Sequence, residues 1–198
     1  MHFSTSAITL AMVTFTSALP TNTADLSSAP SGTSYPSLPP SNIIRPTITS
    51  QYDVWTGAVR YKTQNGKIFK DGRTTDVTTL LTFDFPAASA GKICSFHFDL
   101  SSDPTANVSG TAQFDIFTSL APAHRSTTTW PSGNLRDQHF GRMTAHLNDE
   151  ATWVDGFSTL GKGFPCPAGQ TYGGELVGTG DVDRIEWVAA NSGPYIKW

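Results

Sequence analysis

The sequence predicts an all-β fold, an antiparallel β-sandwich of jelly-roll-like or Ig-like type, behind a disordered N-terminal segment. Three observations carry this. From Tyr52 onward the chain is a series of short runs in which apolar and polar residues alternate, the period of a half-buried strand. Turn-forming groups punctuate the runs: Asn65-Gly66, Asp71-Gly72, Ser132-Gly133-Asn134, Gly173-Gly174 and Ser192-Gly193-Pro194. No amphipathic 3.6-residue repeat persists for as much as about ten residues.

The N-terminus is read first. Ala7 to Phe15 is an apolar run, and small residues follow at Thr16-Ser17-Ala18. This is the layout of a secretory signal over residues 1–18, with cleavage expected after Ala18. Residues 19–50 are dominated by Ser, Thr and Pro. Such a composition buries too little apolar surface to offset its ordering entropy, so it reads as a disordered linker and a substrate for O-glycosylation. Asn42-Ile43-Ile44 is its one apolar cluster and marks the approach to a folded domain over residues 51–198.

Within that domain the strongest strands are Leu80–Phe85, Lys92–Leu100 and Thr111–Leu120. In the second, Cys94, Phe96, Phe98 and Leu100 share one face, and Ser95, His97 and Asp99 take the other. In the third, Ala112, Phe114, Ile116 and Leu120 form the apolar side. Weaker patterns mark strands at Tyr52–Lys62, Lys67–Lys70, His139–Leu147, Glu175–Val177, Arg184–Val188 and Tyr195–Trp198.

Composition excludes several classes. The formal charge is −3, and basic residues form no run, whereas a nucleic-acid binder carries a basic stripe. No apolar run reaches the ~18 residues of a membrane span. The chain ends at Gly193–Trp198 without the apolar tail of a lipid-anchor signal. No phosphate loop, dinucleotide fingerprint or serine-hydrolase elbow is present. His97, His124, His139 and His146 lack the spacings that put two ligands on one element, so no metal and no cofactor is expected. Asp181-Val182-Asp183 lacks the ligand series of a calcium loop and reads as a turn.

Cys94 and Cys166 are the two cysteines of the chain, and export carries them into an oxidising compartment, so a disulfide between them is expected. Asn107-Val108-Ser109 is an N-glycosylation sequon in a polar stretch between two strong strands. Trp55 and Trp187 sit on strand patterns and read as core. Trp130 and Trp153 sit in irregular stretches and are the candidates for stacking on a ligand face. Asp84, Asp99, Asp115, Glu175 and Glu186 are the carboxylates from which a hydrolase would draw a catalytic pair.

The ordered set Leu81-Thr82-Phe83-Asp84-Phe85-Pro86, Gly91-Lys92-Ile93-Cys94, Phe114-Asp115-Ile116-Phe117, Cys166-Pro167-Ala168-Gly169 and Gly193-Pro194-Tyr195-Ile196 resembles a fungal family, the ubiquitin 3 binding protein, C-terminal domain. Order and spacing agree over roughly residues 54–198. Ile93 and Pro194 depart from its usual pattern, and Pro194 suits an edge or a strand start. The resemblance implies a secreted β-sandwich and brings no catalytic residues. The partner implied by the family's name is intracellular, which an exported chain does not meet.

The expected function is therefore that of a secreted or cell-wall-associated, non-enzymatic and monomeric binding or structural module. Its expected partner is a cell-wall polysaccharide or another extracellular protein. Two alternatives stand beside it: a carbohydrate-binding or adhesive module using the loop tryptophans, and a secreted hydrolase with a carboxylate pair.

Overall fold

A computed structural model of the protein describes residues 42–129 and 135–198. The stretch read as an export signal, most of the stretch read as a linker, and Trp130 lie outside the described residues. The described chain is an antiparallel β-sandwich. In order, its strands are β1 (Ile43–Ile44), β2 (Ile48–Asp53), β3 (Val59–Arg60), β4 (Asn65–Lys70), β5 (Val77–Asp84), β6 (Ile93–Asp99) and β7 (Asn107–Gly110). They continue with β8 (Gln113–Ser119), β9 (Arg136–Thr144), β10 (Thr152–Trp153), β11 (Phe164–Pro165), β12 (Thr171–Gly178), β13 (Asp183–Val188) and β14 (Gly193–Lys197). Among the described residues, helix is confined to two 3-10 turns, Ala87–Ser89 and Leu160–Lys162.

The smaller sheet has the order β1-β14-β6-β11. The larger one runs β10-β9-β8-β12-β5-β4-β13-β7, with β2 also paired to β5 and β3 beside β2. The alternation read from the sequence sets their inner faces. Cys94, Phe96 and Phe98 of β6 meet Phe114 and Ile116 of β8, Leu176 of β12 and Ile185 of β13 in one buried cluster. Trp187 is at its heart, with Phe98 edge-on to the indole at 5.0 Å.

The strand β5 is buried along almost its whole length, on both faces. Leu81 and Phe83 join the main core, while Leu80 joins a second, smaller cluster with Tyr52 and Ala123. The polar residues Thr78, Thr79 and Thr82 are consequently buried too. Each is hydrogen-bonded: Thr78 to Glu175, Thr79 to the Lys67 carbonyl, and Thr82 to the Ala123 carbonyl.

Four readings of the sequence are corrected. The folded part begins before Gln51, because β1 and the start of β2 lie in the stretch assigned to the linker; Ile44 is buried there. Gly173-Gly174 is no turn but the middle of β12. A Cβ on Gly173 would sit 2.9 Å from Pro122 Cα, so the pair lets a loop backbone close on the strand. Asn65-Gly66 opens β4 instead of a loop. Trp55 leaves β2 in a turn and is 66% exposed, not core.

Candidate functional site

The two inner faces part at one end of the sandwich and leave an apolar cleft of about 210 Å³. Its wall is aromatic. Phe83 and Phe85 come from β5, Phe140 from β9, Phe164 from β11 and Tyr172 from β12. Phe140 and Phe164 meet at 4.9 Å in an edge-to-face pair, and Tyr172 stands edge-on to Phe85 at 6.1 Å. Such contacts fix ring orientation beyond what area burial alone does. Thr118, Gln138 and Glu175 are polar residues of the lining, and Tyr172 is 43% exposed.

The disulfide braces this cleft. Cys94 and Cys166 are bonded with their Cα atoms 5.1 Å apart. Phe164 pairs with Cys94 in the β11–β6 ladder, and the Cys166 amide donates to the Lys92 carbonyl at 3.0 Å. The aromatic ring of Phe164 is thus held at the edge of the smaller sheet by a covalent link two residues away. The sequence supplied the cysteine pair, but nothing local to Phe140, Phe164 or Tyr172 marked them as lining one space.

The five carboxylates are all engaged within the chain. Asp84 accepts the Thr171 hydroxyl at 2.5 Å, and Asp99 accepts the amide and hydroxyl of Ser101. Glu186 pairs with Lys67 at 3.0 Å and Arg184 at 2.7 Å. Asp115 and Glu175 share the outer face of the larger sheet on adjacent strands, because Asp115 pairs with Val177. Arg142 grips Asp115 through two bonds of 2.8 and 2.9 Å, and His139 adds a third at 2.9 Å. Burial pushes the Asp115 carboxyl up, but Arg142 and His139 outweigh it and hold it below its ordinary range. A general acid needs the opposite shift. Glu175 is buried, bonded to Thr78 at 2.6 Å and to Arg136 at 2.7 and 2.9 Å. The arrangement holds a sheet face together; it does not present a reactive pair.

Trp153 lies in β10, opposite Met143. Its ring packs over Gly141 and Gly161, where a Cβ would come within 2.3 and 2.4 Å of it. The indole anchors β10 to β9 and joins the edge of the core. Asn107 is exposed on β7, the outermost strand beside β13. Asp183 accepts the Thr111 hydroxyl and, at 2.6 Å, the Gly180 amide, which makes Gly180–Asp183 a hydrogen-bonded turn.

No curated protein matches the chain. Over residues 56–191, a span running from the turn after β2 to the approach to β14, the sequence matches the family described as the ubiquitin 3 binding protein But2 C-terminal domain, and the chain belongs to that family.

Proposed function

We propose that the sandwich is an extracellular binding module whose site is the aromatic cleft, displayed on a Ser/Thr/Pro-rich tether. The observation that carries this reading is the cleft itself: an apolar, disulfide-braced space lined by Phe83, Phe85, Phe140, Phe164 and Tyr172. Apolar concavities with a few polar groups are where small ligands bind. A void of ~150 Å³ accepts a benzene ring. About 210 Å³ thus suits one ring or a short acyl chain, with a polar group at Thr118 or Gln138.

Chemical-shift mapping with benzyl alcohol and octanoate on residues 19–198 tests this. Shifts gathered on the five aromatic residues, weakened about fivefold or more by Tyr172→Ala, are the expected result. Shifts scattered over the surface, or none at millimolar ligand, would sink the reading. N-terminal sequencing of the native protein tests export: a mature chain starting at Leu19 is expected. The family description points to a ubiquitin-type partner, and an uncleaved intracellular chain would favour that partner instead.

A second reading rests on Trp55, whose indole is 66% exposed. Exposed indoles are platforms for stacking on sugar rings. A polysaccharide binding screen comparing the native sequence with Trp55→Ala separates this reading from the first, because the cleft does not include Trp55.

A further inference from the structure

Away from the cleft, three side chains on the outer face of the smaller sheet form a hydrogen-bonded relay. Ser95 and His97 stand two residues apart on β6 and therefore share a face. Ser95 Oγ lies 2.9 Å from His97 Nε2. On the other side of the ring, His97 Nδ1 lies 2.5 Å from Glu150 Oε1. Glu150 arrives from a distant loop, placed by backbone bonds from Leu100 to Asp149 at 3.1 Å and from Ala151 to Phe98 at 2.8 Å. Tyr195, opposite His97 in the β14–β6 ladder, stacks on the imidazole at 4.9 Å and 15°.

This order of contacts has a chemical consequence. A carboxylate at Nδ1 fixes the tautomer that carries its proton there, which leaves the Nε2 lone pair facing the serine hydroxyl. Nucleophile, base and orienting acid are then in the sequence that serine acyl transfer uses on unrelated folds. We propose that Ser95 is a nucleophile activated by His97, that Glu150 and Tyr195 are positioning residues, and that the site takes the acyl group of small activated esters. Ser95 Oγ adds to the ester carbonyl carbon as its proton passes to His97 Nε2. The C–O bond to the alcohol breaks, and the departing alcohol takes that proton. The acyl group remains as an ester on Ser95 until water, deprotonated by His97, releases the carboxylic acid. His97 and Glu150 are 26% and 47% exposed at their side chains, so the site has no deep wall and selects small acyl groups with good leaving groups. Base catalysis of this kind is worth roughly 10²–10⁴-fold.

The test is p-nitrophenyl acetate on residues 19–198, with the acetyl group located by peptide mass spectrometry. Acetyl on Ser95, absent in Ser95→Ala and formed about tenfold or more slowly in His97→Gln, is the expected result. Glu150→Gln should slow labelling several-fold and move the His97 Nδ1 proton resonance upfield, with Glu150→Asp restoring part of both. Melting temperatures of the variants show that each is folded. Acetyl on lysines alone, or Ser95 labelled at the same rate without His97, overturns the proposal.

Discussion

Asp103 and Val188 are 85 residues apart in sequence, and the Asp103 carboxylate accepts the Val188 amide at 2.6 Å. The same carboxylate accepts the Ser192 hydroxyl at 3.0 Å and both the amide and the hydroxyl of Thr105. One buried side chain thus ties the loop after β6 to the end of β13 and the start of β14.

Burial pushes the Asp103 carboxyl up, and its hydrogen bonds, that of the Val188 amide foremost, outweigh this and bring it down from 3.8 to about 2. A depressed folded-state pKa stabilises the fold above the unfolded value and loses that stabilisation as the pH falls through the folded one. The expected contribution is about 2 kcal/mol, complete above pH ~5 and fading toward pH ~2. Urea unfolding across this range should show the native chain well above Asp103→Asn near neutrality, with the gap narrowing in acid. A gap that is constant with pH would contradict it.

The Cys94–Cys166 bond spans 72 residues. Cross-linking at that separation restricts the unfolded chain by roughly 4 kcal/mol on the chain-entropy account. Reduction, or the double change Cys94→Ser with Cys166→Ser, should lower the unfolding midpoint accordingly. It should also loosen Phe164, visible as faster exchange of the amides of residues 164 and 166 than of those in β13.

Removing Arg136 should do more harm than removing its whole ion pair. Glu175 is 2% exposed, and Arg136→Met leaves that carboxylate buried with Thr78 as its remaining partner. An uncompensated buried charge costs about 3–5 kcal/mol. Arg136→Met combined with Glu175→Met should recover a large part of the loss, a coupling that a double-mutant cycle reads directly.

Gly173→Ala should be destabilising even though its neighbour Gly174 is roomier. The added methyl would meet the backbone of Ala121 and Pro122 at 2.9–3.0 Å, whereas on Gly174 the nearest atom is Phe117 O at 3.3 Å. Overpacking against backbone costs about 1–3 kcal/mol. Thermal unfolding of the two variants side by side checks the order.

Legibility in the sequence followed how local each cause was. The β6 strand was legible because Cys94, Phe96 and Phe98 alternate against a single core. The Leu80–Phe85 pattern is legible as a strand, but neither its start at Val77 nor its burial on both faces is. Its threonines look solvent-facing until β2 and the loop at Ala123 cover them. Gly173-Gly174 reads as a turn because its reason, the approach of Pro122, is fifty residues away in the chain. The register shifts around Phe117 blur the β9 pattern, and with it Phe140 as a wall of the cleft. Ser95 and His97 were legible as one face; Glu150, 53 residues on from His97, was not.

The two ladders at the N-terminal end of the described residues differ in length, and this bears on how the sandwich would respond to a pull on that end. The β1 strand pairs with β14 through two positions, Ile43 with Lys197 and Ile44 with Ile196, while β2 pairs with β5 through six. A pull on the chain ahead of Asn42 meets the short ladder first. When it parts, residues 42–46 add at most about 17 Å of extended chain, while Thr47 stays bonded to the Thr82 carbonyl and the six-pair ladder still holds. Under such a pull the sandwich is therefore expected to open first at its β1 edge, before the β2–β5 ladder parts.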